Sequence, residues 1–310
     1  MTLALLCSGQ GLQHARMFAT TGDAPIAAPL FEHATALLGS DPRELVATAT
    51  SDALHANRAG QIVCTLQALA AAAALRDAMP QRLIVAGYSV GEVAAWHLAG
   101  VFDAPTTLDL VVKRADAMDA ASVPGDGLLF VRGPSREAID ALCRRHGAAV
   151  AITNPDAAWV IGGDGAALEA FAADARAHGA LRVARIGVDV ASHTPRLASA
   201  SVAFRRVLAD ASAHAARDAN VRILSGIDGT AVHDVAAGLD KLAAQISQTV
   251  HWDACLQAAV EAGATCFLEL GPGRALSAMT ARAWPAIPSR SVDDFRTLDG
   301  VREWLARNAD

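Results

Sequence analysis

A short apolar run, Leu83-Ile84-Val85-Ala86, opens through Gly87-Tyr88-Ser89-Val90-Gly91 into a helical pattern. Between 124 and 190, segments follow one another in the order βαββαβ. These two observations predict an α/β fold: a large α/β-hydrolase-like parallel-sheet domain with an inserted small ferredoxin-like α+β subdomain. The large domain takes residues 1–123 and 191–310, the subdomain 124–190. With 53% hydrophobic and 19% charged residues, the 310-residue chain can bury a core of that size.

Leu3–Cys7 reads as the first strand, and Ser8-Gly9-Gln10-Gly11 as a loop. Strand then G-x-G suggests a dinucleotide site, but His14 stands where the third glycine belongs. Residues 27–38 and 43–56 read as helices, the second started by Asp41-Pro42. Gln61–Ala78 is a long apolar helix ended by Pro80, and the elbow strand follows. Thr106–Ala121 is the next helix; Arg114 and Met118, four apart, share one of its faces.

Ser122–Gly127 is the composition break. Beyond it come strand Leu128–Arg132, helix Ser135–His146, strand Ala148–Thr153, strand Trp159–Gly162, helix Gly165–His178 and strand Leu181–Ile186. Val188–Pro195 leads back to the large domain. There follow helix Leu197–Ala215, strand Arg222–Ser225, helices Leu239–Gln245 and Asp253–Ala262, and strand Cys266–Leu270 opening into Gly271-Pro272-Gly273. Ile287–Ser291 reads as an edge strand and Val292–Asn308 as a closing helix.

The turn at Ser89 is so sharp that side chains beside it would clash, hence the flanking glycines. The serine hydroxyl is left at a helix N-terminus, where free N–H groups and the dipole can stabilise an oxyanion. Ser89-Val90-Gly91-Glu92 is also S-x-x-E, a capping box that could simply start the helix. Arg114 could equally form a surface ion pair with Asp109 or Asp116, and Gln10 and Asn154 could be turn residues.

A net charge of −6 without a long basic run argues against a nucleic-acid surface. The cysteines Cys7, Cys64, Cys143, Cys255 and Cys266 are scattered without a C-x-x-C pair, as in a reduced cytoplasmic protein. The histidines are too dispersed for a metal motif. The N-terminus lacks a basic signal-peptide region, and the run Leu66–Leu75 is too short to cross a bilayer, so no membrane partner is expected.

Together, Gly9-Gln10-Gly11, Gly87-Tyr88-Ser89-Val90-Gly91-Glu92, Arg114, Ser192-His193 and Leu270-Gly271-Pro272-Gly273 resemble the malonyl-CoA:acyl carrier protein transacylases over essentially the whole chain. The resemblance implies that Ser89 accepts the acyl group and His193 is its general base. It implies an oxyanion hole of the Val90 and Gln10 main-chain N–H groups. Arg114 would bind the free malonyl carboxylate, with Met118 packed beside it. Asn154 would line the cleft, and the main-chain carbonyl of His251 would orient His193. Malonyl-CoA is then the substrate, an acyl carrier protein the partner, and no permanent cofactor is implied.

The family more often has histidine at the position of Tyr88. The Gly87–Glu92 form, with the Leu5–Gly11 opening, looks most like the branch serving malonate decarboxylase, whose carrier bears a phosphoribosyl-dephospho-CoA arm. A fatty-acid or polyketide-type malonyl or methylmalonyl transacylase is the alternative, since Val190-Ala191-Ser192-His193 fits either acyl group. A serine esterase or thioesterase also shows G-x-S-x-G, but it places an acidic residue between serine and a late histidine.

Overall fold

The computed structural model describes residues 2–211 and 220–308. Among the described residues the strands are β1 (Leu3–Cys7), β2 (Leu83–Gly87), β3 (Gly127–Arg132), β4 (Ala149–Asn154), β5 (Ala158–Gly163), β6 (Arg182–Ile186), β7 (Val221–Ile223), β8 (Val250–His251), β9 (Cys266–Glu269) and β10 (Ser289–Ser291).

The first sheet runs β10-β9-β1-β2-β7, with every pairing parallel. All five residues of β1 are buried, as a strand covered on both faces requires. Each leucine there is worth about 1.5–3 kcal/mol of burial. From β1 the chain moves one way to β2 and β7, then returns to place β9 on the other side. The C-terminal ends of such strands, beside the reversal, are where open α/β sheets hold ligands. Here those ends carry Ser8, Tyr88 and Leu270.

In helix Asn57–Leu75 all but a few residues are buried. With its short continuation to Ala78 it is long and apolar enough to cross a bilayer, contrary to the sequence expectation. It is instead the core helix, in contact with helices Ala28–Leu38, Gly91–Leu98 and Ala104–Ala121. The helix expected over 43–56 is two, Pro42–Thr48 and Ser51–His55, because the Thr50 side chain accepts the Ala53 N–H and starts a new one. The closing helix begins only at Leu298, capped by Thr297. Of the helix expected over Leu197–Ala215, Ala198–Asp210 is helical; positions 212–215 lie outside the described residues.

The second sheet runs β6-β3-β5-β4-β8. Its first four strands are antiparallel and come from the βαββαβ stretch, with helices Arg136–His146 and Gly165–Ala177 packed together on it over a small separate core. The fifth was not expected. Val250–His251 returns from the large domain and pairs parallel with β4, so the 124–190 segment does not complete its own sheet. A two-residue strand is too short to leave a periodic signal.

Candidate active site

The elbow is dictated by sterics. A Cβ on Gly87 would lie 2.0 Å from the Glu92 nitrogen, and one on Gly91 would lie 2.1 Å from the Cys7 carbonyl oxygen. Ser89 itself sits at φ 56°, a left-handed conformation that side chains other than glycine rarely adopt. The turn hands the chain to helix Gly91–Leu98, with Val90 as its cap residue. The β1 loop presses on the same point: a Cβ on Gly9 would lie 2.6 Å from the Tyr88 oxygen and 3.3 Å from Ser89 Cβ.

His193 arrives from the segment after β6, also left-handed at φ 62°. Its Nε2 is 2.8 Å from Ser89 Oγ, and its Nδ1 is 2.6 Å from the Gln245 main-chain oxygen. A carbonyl can only accept, so Nδ1 carries the proton and Nε2 turns its lone pair to the serine. Burial, and then the Arg114 cation, depress the imidazole pKa to about 3, against the Gln245 carbonyl, which raises it. The ring is therefore a neutral proton acceptor at working pH.

Arg114 is fully buried. One terminal nitrogen donates to Gln61 Oε1 at 2.6 Å, the other to Gln245 Oε1 at 3.4 Å, and Nε has no partner. Both partners are neutral. The alternative acids are engaged elsewhere: Asp109 with His33, Asp116 with Arg58. Burial lowers the guanidinium pKa to about 10 while the Glu92 charge opposes that, and it stays cationic. Met118, one turn on, is buried with its sulfur 3.4 Å from Gln61 Nε2, so Gln61 touches both residues.

A small cavity of about 40 Å³ touches Ser89, His193, Gln10, Tyr88 and Ser192. It shares Gln10, Tyr88, Val160 and Ile186 with a larger cleft of about 490 Å³ between the two sheets. Asn154, at the end of β4, lines that cleft and is buried, with the Tyr88 hydroxyl beside its amide. Arg132, Arg182, Arg185 and Arg282 also line it.

The acyl transferase domain family model matches residues 5–292. A malonyl CoA-acyl carrier protein transacylase of Mycobacterium tuberculosis is 30% identical over 301 residues, 96% of this chain and 98% of that one. The chain belongs to the malonyl-CoA:acyl carrier protein transacylase family. A crystal structure of an acyl-carrier-protein S-malonyltransferase from Burkholderia pseudomallei superposes with TM-score 0.89 at 30% identity, covering 98% of this chain and 100% of that one. A malonyl-transacylase in complex with a type II PKS acyl-carrier protein gives TM-score 0.89 at 25% identity, over 98% and 99%. A polyketide synthase of Streptomyces halstedii is 31% identical over 291 residues, 90% of this chain but 5% of that much longer one.

One site expectation for this transacylase is corrected. The carbonyl that holds His193 comes from Gln245, not His251. Helix Val235–Ala244 ends at Gln245, and a last-turn carbonyl is left without an intrahelical partner, free to face the imidazole. His251 is instead committed to β8: its N–H donates to Gly226, and its ring lies 3.3 Å from Thr153 Oγ1.

Sequence reading of the transacylase missed Gln61, Gln245 and Glu92. Gln61 had one signal, a polar residue inside an apolar helix. Glu92 is fully buried and does not close a capping box. Its Oε2 accepts from Gly226 N–H at 3.0 Å and from Gln245 Nε2, while Oε1 has no partner. Burial raises its pKa to about 7 against those hydrogen bonds and the Arg114 charge. Among the described residues no metal-ligating cluster is present.

Proposed function

We propose that this transacylase moves a malonyl group from malonyl-CoA to the thiol arm of an acyl carrier protein by way of a malonyl-Ser89 ester. The observation that carries the reading is Arg114: a buried cation with only neutral partners, joined through Gln245 to the serine's histidine. A guanidinium fork pairs bidentately with a carboxylate, and malonyl thioesters offer one at the end away from the reacting carbonyl.

The chemistry follows from the geometry. Ser89 Oγ attacks the thioester carbonyl as His193 Nε2 takes its proton. The oxyanion is received by the main-chain N–H groups of Val90 and Gln10, a kind of contact worth about 10²–10³ in rate per donor. Collapse breaks the C–S bond, and the imidazolium returns its proton to the CoA thiolate. The carrier thiol then runs the same steps in reverse. A malonyl carboxylate on Arg114 also offsets the cation that depresses His193, so the correct substrate makes its own base stronger.

The arginines of the larger cleft suit phosphates on CoA and on a carrier arm. Asp156, 3.8 Å from both Arg132 and Arg282, is an acid on the same cleft and partly offsets those two. An esterase reading fits less well, because His193 is steadied by a carbonyl rather than an acid and lies mid-chain.

The relatives favour a fatty-acid or polyketide-type carrier. A malonate decarboxylase carrier is supported only by the Gly87–Glu92 and Leu5–Gly11 wording. The cysteines, free and buried, favour a reducing cytoplasm. Intact-mass analysis after incubation with malonyl-CoA should show one malonyl group on the wild type and none on Ser89→Ala. Loss of that group to a phosphopantetheine carrier faster than to water supports transfer. Discharge only to a carrier with the phosphoribosyl-dephospho arm would assign the protein to malonate decarboxylation instead.

A further inference from the structure

Gln245 is a junction. Its main-chain oxygen holds His193 Nδ1, its amide oxygen faces Arg114, and its amide nitrogen donates to Glu92. The next residue also serves the base, since Ile246 O accepts the His193 N–H at 2.8 Å. The base and the cation thus hang on one short segment at a helix end.

An amide side chain can be reversed about its last bond, which exchanges donor and acceptor. Reversed, Gln245 would aim two N–H groups at Arg114 and repel it. Glu92 is what fixes the choice. When ionised, its carboxylate can only accept, so it takes the Gln245 NH₂ and leaves the oxygen for Arg114. Glu92 is itself pinned by Gly226 N–H, in the turn after β7. It is three residues from Ser89, on the helix the elbow starts, so nucleophile and junction share one rigid element.

We propose that Glu92 is a positioning residue of the transfer site, clamping Gln245 so that one residue presents its carbonyl to His193 and its amide oxygen to Arg114. The inference rests on the malonyl-transfer reading above. Glu92 touches no substrate; it acts through Gln245.

The test compares Glu92→Ala, Glu92→Gln, Gln245→Ala and the double Ala variant. Each is checked by thermal unfolding and then assayed for single-turnover labelling of Ser89 from malonyl-CoA and acetyl-CoA. Glu92→Ala should slow saturated labelling from both donors by about 10- to 100-fold, the scale of a reacting group displaced by an ångström. The donor concentration for half-saturation should change far less. Glu92→Gln, which can still accept from the Gln245 amide, should recover most of the rate. The double variant should be no slower than the slower single one, because both act along one path.

Wild-type labelling rates in folded Glu92→Ala overturn the proposal, and so do losses that multiply in the double variant. Should Glu92→Ala not fold, the similarly sized Glu92→Met decides: unchanged labelling overturns the clamp, and a tenfold or greater loss that Glu92→Gln does not share supports it. Failure of the wild type to take malonyl at all would sink the transfer reading, not the clamp.

Discussion

Ser89 and His193 meet at 2.8 Å across 104 positions of sequence, and both occupy left-handed backbone, at φ 56° and 62°. Each conformation costs of order 1–3 kcal/mol in a residue with a Cβ. The site therefore stores strain at both ends of one hydrogen bond. Ser89→Ala and Ser89→Gly lose the same hydroxyl, but only glycine relaxes the backbone. Both should fail to take malonyl, and Ser89→Gly should be the more stable by about 1 kcal/mol in denaturant unfolding. Equal stabilities would mean the elbow is unstrained.

Arg114→Ala should remove most of the preference for malonyl over acetyl, since one buried charged contact is worth roughly 2–5 kcal/mol. Arg114→Lys should restore only part, because an ammonium cannot form the bidentate fork. Arg114→Met should raise the melting temperature, as a buried cation without an ion-pair partner is costly in the free protein. Competition labelling with the two CoA esters and a thermal melt give both answers. An equal loss with both esters would remove Arg114 from the carboxylate role.

The arginines of the larger cleft make a separable prediction. Arg182→Glu and Arg185→Glu should raise the KM for malonyl-CoA and flatten its rise with salt, because the attraction that salt screens is gone. A malonyl thioester lacking phosphates should be used as before. Both side chains line the cleft yet lie outside the small cavity around Ser89, so their interactions with substrate are partly screened and modest. Parallel KM values across salt concentrations separate this from a general loss of activity.

The elbow, the parallel sheet and the βαββαβ run were legible because each rests on a local rule: glycine sterics, apolar runs, alternation. Ser89 and His193 meet at hydrogen-bond distance, and Arg114 is linked to His193 through Gln245. The orienting carbonyl was not legible, since a main-chain oxygen is shared by every residue and only the end of helix Val235–Ala244 shows which one is free. Gln61 and Glu92 look like ordinary polar residues on helices until burial shows that they face inward. β8 and the break before Leu298 depend on tertiary pairing and one cap, which periodicity does not record.

Glu269 gives the last prediction, on stability. It ends β9 fully buried; its Oε1 accepts from Ser8 Oγ at 2.8 Å and its Oε2 from Ser277 N–H and Oγ, both at 2.8 Å. It thus ties the loop carrying Gln10 to helix Ala275–Ala283. Burial raises its pKa from 4.5 to about 7 despite those donors. The folded state then binds a proton that the unfolded state has released between those values, so this group's contribution falls as pH rises through the window and is fully present below it. The slope is at most about 1.4 kcal/mol per pH unit. His193, depressed to about 3, works in the opposite direction below pH 6.5, losing stability as pH falls. The clean measurement is therefore a difference. Glu269→Gln keeps the shape, and the Ser8 hydroxyl can turn to accept from the new amide. Subtracting its unfolding free energies from those of the wild type at pH 5, 6 and 7 should leave a wild-type excess that shrinks with rising pH. A pH-independent difference would mean that Glu269 keeps an ordinary carboxylate pKa inside the fold.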